Sequence, residues 1–309
     1  MTQLSTISRA PIRSYAFGTM QFGGKANVVQ SASMFDACIE AGITHFDTAW
    51  VYTNGKSEEI LGDIIGARED IYIATKVGYT GGAGRTNMLA QFDDSRRRLG
   101  RDAVDLLYLH RFDPDTDLKE TIDTFAHLQS QGAIRHIGLS NFAAWQVMKA
   151  QSIAAEFGTQ IDVLQPMYNL VKRQAEVEIL PMCADQGIAC CTYSPLGGGL
   201  LTGKYQAGDT GRLSEDDRYA TRYSLPEMTS AAIGLLDIAQ RAGVSPATLA
   251  VAWVAASDHR PHPILSARTV EQLAPSLAAL DFEMSADLYG ELSKLMRTPP
   301  PATDRIEEA

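Results

Sequence analysis

Eight short apolar runs, each followed by a stretch of helical periodicity, constrain this chain more than any other feature. The runs fall at residues 15–20, 43–46, 71–77, 104–110, 134–141, 161–165, 188–193 and 263–266. Most are almost continuously apolar, as strands buried on both faces must be. Between them the period changes to that of a helix. Met34, Ala37, Cys38 and Ala41 mark one face, Ile60, Leu61 and Ile64 another within 57–65, Leu89 and Phe92 a third within 87–99, and Ile122, Phe125 and Leu128 a fourth within 118–129. Further helices are expected around Trp145 and Met148 and over 176–186, 229–242, 246–256, 270–280 and 285–296.

Strand and helix alternating eight times predict a parallel sheet closed on itself, a (β/α)8 TIM barrel with its chemistry at the C-terminal mouth. An open doubly wound sheet needs Gly-x-Gly-x-x-Gly after its first strand, and the glycines at 18, 23 and 24 do not have that spacing. The whole chain, 1–309, reads as a single barrel domain, with 298–309 a frayed tail. Residues 203–226 are long and polar with no strong period, a stretch able to serve as a closing lid.

The chain carries 27 basic and 37 acidic residues, a net charge of −10, which argues against nucleic acid or an anionic membrane as partner. Any phosphate site must be built locally. The cysteines, Cys38, Cys183, Cys190 and Cys191, lack Cys-x-x-Cys spacing and sit in apolar surroundings, so they read as reduced packing residues and no metal is expected. With no signal-peptide core and no long apolar run, a cytoplasmic protein is expected.

Polar residues at barrel strand ends carry the functional weight. Asp47, Lys76 and His110 close three consecutive runs, and Tyr52 follows Asp47 by five residues. A phenol titrates near ~10 in isolation. An ammonium beside it should lower that value, a carboxylate should hold the ammonium, and an imidazole can orient the oxygen that receives the proton. Such a cluster protonates a carbonyl oxygen, and no serine or cysteine is placed to attack the carbon.

These four residues, with 138–141 (Gly-Leu-Ser-Asn), Gln165, the run from Tyr193 through three glycines at 197–199, and 267–272 (Ala-Arg-Thr-Val-Glu-Gln), resemble the aldo-keto reductase superfamily, in its bacterial NADPH-dependent form. The likeness runs from about residue 16 to about residue 280. It implies hydride transfer from NADPH, with NADH as the lesser option, to an aldehyde or ketone. It also implies that Ser140, Asn141 and Gln165 hold the nicotinamide carboxamide and that Tyr193 stacks on the ring. Ser194, Leu196 and Gly198 would meet the pyrophosphate, and Lys204 and Arg268 the phosphates, with Thr19, Met20 and Gln272 completing the cofactor set. At Pro275 and Ser276 the family has an acidic residue and an asparagine against adenine, so the implied adenine contacts are weakened here.

For the substrate, Met20, Phe22, Trp50, Tyr79, Phe112 and Tyr168 follow strand ends and are expected to wall an apolar pocket. A second reading is an NADPH-binding, slowly turning redox sensor resembling the voltage-gated potassium channel β-subunits; the short arm before the first strand counts against it. A cofactor-free barrel isomerase would leave Gln165, Tyr193 and Arg268 without a shared purpose. Oligomeric state is left open.

Overall fold

The computed structural model describes residues 2–305 and 307. Of the tail expected to fray, residues 306 and 308–309 lie outside the described residues. Eight strands close in sequence order into one barrel: β1 (Ala16–Gly18), β2 (His45–Asp47), β3 (Tyr72–Val77), β4 (Val104–Leu109), β5 (Ile134–Ser140), β6 (Val163–Gln165), β7 (Ala189–Tyr193) and β8 (His262–Leu265). Every neighbouring pair is parallel, including β1 with β8. The eightfold alternation of the sequence is thus a (β/α)8 barrel.

The returning helices are α1 (Val28–Glu40), α2 (Lys56–Ile65), α3 (Arg85–Leu99), α4 (Leu118–Ser130), α5 (Ala144–Glu156) and α6 (Ile179–Asp185). After β7 come α7 (Arg212–Glu215), α8 (Asp217–Arg222), α9 (Pro226–Ala242) and α10 (Pro246–Ala255), and after β8 come α11 (Val270–Leu277) and α12 (Ala286–Ser293). Local chemistry sets their starts. Asn27 and Gln30 form a capping box on α1, and Ser245 accepts from the Ala247 amide to cap α10 with Pro246 in its first turn. Among the described residues no helix is long and apolar enough to cross a membrane.

Several expectations shift. The buried face of α1 is Met34, Phe35 and Cys38, whereas Ala37 and Ala41 are only half-buried. The helix expected from 176 starts at Ile179, because 174–176 forms a 3-10 turn in which Arg173 donates to both oxygens of Glu176. The stretch 203–226 contains α7 and α8, each too short for a helical period to register in sequence.

Alternation along the strands sends one set of side chains into the barrel and the other against the helices. The outer set joins the helices in a core that includes Phe17, Phe46, Ile73, Leu107 and Leu139. The inner set includes Tyr72, Leu106, Val163 and Ala189, and the N-terminal arm covers it from below through Leu4, with Ile12 packed beside. Asp105 fastens that arm, accepting from the amides of Ile7 at 2.5 Å and Ile73 at 2.6 Å.

The barrel floor also buries His45, whose two ring nitrogens have no hydrogen-bond partner among the described residues, edge-on to Tyr72 at 4.6 Å. Burial, then the charges of His262, Lys76 and His136, pushes its pKa down to about 3; burial takes His262 down to about 4. An unfolded imidazole titrates near ~6.5. The folded state therefore binds fewer protons than the unfolded one below that pH, and stability present above it is lost as pH falls. Each such histidine contributes at most about 1.4 kcal/mol per pH unit. Asp105 and Glu58 act oppositely, since burial raises both carboxyls. We expect the urea midpoint to be lower at pH 5 than at pH 7.5 and this difference to shrink in His45→Phe; a difference that the substitution leaves unchanged would refute the assignment of a neutral buried imidazole there.

Candidate active site

Asp47 is the last residue of β2, Lys76 lies one residue before the end of β3, and His110 follows β4 directly. The chain leaving β2 keeps running along β3: Thr48 N donates to Ala74 O at 2.8 Å and Trp50 N to Lys76 O at 3.0 Å. That course brings Tyr52 back over the end of Lys76. The Lys76 ammonium donates to the Asp47 carboxylate, to Thr48 O at 2.7 Å and to the Tyr52 hydroxyl at 3.4 Å. His110 faces the phenol edge-on with ring centres 5.8 Å apart. The structure thus brings together all four residues that the sequence singled out.

Both members of the Lys76–Asp47 pair are buried, with side-chain exposures of 0% and 3%. Desolvation works against the ammonium, but Asp47 and Tyr52 outweigh it and the Lys76 pKa is raised. For Tyr52 the balance differs from expectation. Burial is the largest influence and raises the phenol pKa; Lys76 pulls it down without reversing the shift. The phenol is therefore held protonated across the neutral range, able to donate. Burial, then Lys76 and Arg111, pushes His110 down to about 3, so it is a neutral imidazole. Its Nδ1 has no hydrogen-bond partner among the described residues.

A second tier of polar groups lies on β5, β6 and β7. Gln165 donates from Nε2 to the other Asp47 oxygen at 2.8 Å, which leaves its amide oxygen as the free acceptor. Ser140 donates to Gln165 O at 3.1 Å. Asn141, in a left-handed conformation at φ 60°, donates to His110 O at 3.0 Å and accepts from the Tyr193 hydroxyl at 2.7 Å. Ser194 is also left-handed at φ 61°, and Asn169 donates to its carbonyl at 2.9 Å. The three glycines that follow have φ of 57°, 67° and 98°, a path side chains rarely allow. A Cβ at Gly198 would also stand 3.0 Å from Leu213 and from Tyr219.

Asp47, Tyr52, His110, Ser140, Asn141, Gln165, Tyr193, Ser194, Gly198 and Gly199 line one cleft of about 1140 Å³ across the mouth. At its far end Arg268 forms a two-pronged ion pair with Glu215 of α7, at 2.8 and 3.4 Å, while Lys25 approaches the same carboxylate at 3.6 Å. Gln272 accepts from the Arg268 amide at 3.3 Å. Lys204 lies on this wall too, its pKa lowered by burial and then by Arg268. Pro275 and Ser276 complete that end.

Met20, Leu196, Gly198 and Tyr79 line the cleft. Thr19 does not; its hydroxyl meets that of Ser57, in the first turn of α2, at 2.8 Å. Four aromatics expected on the substrate wall are also elsewhere. Phe22 is fully buried against Phe17, and Tyr168 is buried against Trp253 with its hydroxyl donated to Glu176. Trp50 donates its indole N–H to Asp94 at 3.2 Å, and Phe112 packs on Phe142 and Trp145. An aromatic just past a strand end can turn toward helices as readily as toward the mouth. Arg111 also lines the cleft, as do Arg212, Arg218, Tyr219 and Arg222 from the polar stretch 203–226.

The family model for the aldo/keto reductases matches residues 15–297. A probable voltage-gated potassium channel subunit beta from Oryza sativa subsp. japonica is 32% identical over 92% of each chain. L-glyceraldehyde 3-phosphate reductase from Escherichia coli strain K12 is 31% identical over 84% of this chain and 81% of its own. Aflatoxin B1 aldehyde reductase member 2 from Rattus norvegicus is 35% identical over 69% of this chain and 60% of its own. Barrel and match together make this chain a member of the aldo/keto reductase family, an NAD(P)H-linked oxidoreductase acting on small carbonyl compounds.

Proposed function

We propose that this protein reduces aldehydes or ketones with NADPH, with Tyr52 as proton donor. The observation that carries the reading is the single ammonium of Lys76 touching both Asp47 and Tyr52, with His110 facing the phenol. A carbonyl oxygen seated between Tyr52 and His110 takes its proton from the phenol. Lys76 stabilises the phenolate left behind, Asp47 holds Lys76, and neutral His110 orients the oxygen. The cofactor, when bound, supplies the hydride.

The residues present fit a nicotinamide dinucleotide. Gln165 Oε1 is free to accept from an amide, the Tyr193 ring is fixed by Asn141, and residues 194–199 offer backbone rather than side chains to a pyrophosphate. Arg268 and Lys204 line the cleft and are the cations assigned to a 2′-phosphate, for which the planar fork of Arg268 is suited. Thr19 acts behind this wall as a support. Pro275 contributes no side-chain acceptor for adenine, so the phosphate cations carry the preference for NADPH over NADH.

Arg111 indicates the substrate class. It follows His110, lies 5.0 Å over the Tyr79 ring, and forms no ion pair among the described residues. A carbonyl compound with an anionic end would meet it, a class to which the substrate in the name of the Escherichia coli relative, L-glyceraldehyde 3-phosphate reductase, belongs. The channel-subunit relatives keep a second reading open, a slow redox-sensing subunit. A fluorescence titration with NADPH and NADH, followed by turnover of neutral and anionic aldehydes, tests all of this. We expect tighter NADPH binding and lower KM for anionic aldehydes. Turnover well below the ~1–10³ s⁻¹ of ordinary enzymes despite tight binding favours the sensor, and no nucleotide binding overturns both.

A further inference from the structure

Directly after Tyr52 the backbone does something costly. Thr53 (φ 47°, ψ 38°) and Asn54 (φ 55°, ψ 38°) are both left-handed, followed by Gly55 at φ 90°. Two non-glycine residues in succession in that region persist only where their surroundings hold them. One holder is visible in front: the Thr53 hydroxyl donates to Phe22 O at 2.8 Å. The other stands behind, outside the cleft, and is Arg98 in the last turn of α3.

Arg98 donates through Nη1 to Trp50 O at 3.1 Å and to the Glu58 carboxylate at 3.2 Å. Its guanidinium lies 5.5 Å over the Trp50 ring. It also fills the space beside Gly55, where a Cβ would come within 2.5 Å of its Cζ. Glu58 is completely buried, and its second oxygen accepts from Thr75 of β3 at 2.6 Å, next to Lys76 in sequence. The pair therefore joins the strand carrying Lys76 to the turn carrying Tyr52. Its neighbours Arg96 and Arg97 instead pair with Asp93 and Asp94 of their own helix.

We propose that Arg98, anchored by Glu58, is a positioning residue that clamps the left-handed turn at 53–55 and thereby sets the Tyr52 hydroxyl against Lys76 and His110. The inference rests on Tyr52 being the proton donor. A displacement of about 1 Å in a reacting group can cost ~10²-fold in rate, and the planar fork cannot be replaced by a lysine ammonium.

The test is a double-mutant cycle on carbonyl reduction, with NADPH affinity measured in parallel. Arg98→Ala should lower kcat about a hundredfold while leaving NADPH affinity essentially unchanged, and added guanidinium ion should restore part of the loss. In a Tyr52→Phe background the same change should cost nothing further. Arg98→Lys, which keeps a charge for Glu58, serves if the alanine variant does not fold, and should show an intermediate loss of kcat. Undiminished kcat in a folded Arg98 variant, or a full additional loss on top of Tyr52→Phe, overturns the proposal. If instead Tyr52→Phe itself turns over normally, the proton-donor reading has failed, and the two failures are told apart.

Discussion

Replacing Tyr52 with phenylalanine should lower carbonyl reduction about a hundred- to ten-thousandfold, the range supplied by a positioned general acid. The change removes one oxygen from a half-buried ring, and that oxygen's contact among the described residues is the 3.4 Å bond from Lys76. Lys76 keeps Asp47 and Thr48 O as partners, so the fold should survive with little change. Steady-state kinetics and a nucleotide titration on the same preparation separate the roles: kcat falls while NADPH affinity holds. Normal turnover in this variant would remove Tyr52 from the chemistry.

Lys76→Met should be the most damaging substitution for stability at the site. The ammonium is what makes a buried Asp47 carboxylate tolerable, and its loss leaves that carboxylate only Gln165. Breaking a buried pair from one side costs about 3–5 kcal/mol. Urea denaturation at pH 7.5 reads this directly. Removing the other partner as well, in Asp47→Asn/Lys76→Met, should recover much of the stability and none of the activity, because the phenolate would still lack its cation. A double variant no more stable than Lys76→Met would show that the ion pair is not what the site's stability depends on.

The barrel was legible because strands buried on both faces leave continuous apolar runs, and Asp47, Lys76 and His110 interrupt such runs only at their ends. Register then does the rest: Lys76 pairs with Tyr108 and Asp47 with Ala74, which places both side chains at the mouth. Direction of side chains in loops was not legible. Phe22 and Trp50 follow strand ends just as Met20 and Tyr79 do, yet pack away from the cleft. Nor was Arg98. Three successive arginines on a helix point about 100° apart, so they cannot all be solvated alike, but a partner 40 residues away, Glu58, leaves no local trace. The phenol shows a further limit, since sequence reasoning weighed the nearby cation but not the burial that outweighs it.

Because β1 pairs with β8, each of the eight barrel strands has a neighbour on both sides, and the sheet has no edge. A second polypeptide cannot join this molecule by adding a strand. Any assembly must be made through helix faces and loops, where exposed apolar residues such as Val29, Trp145 and Ile233 are found. Quaternary arrangement is thereby separated from the backbone that positions the chemistry, so relatives can gain, lose or exchange subunit contacts by surface substitution while the mouth of the barrel is inherited intact.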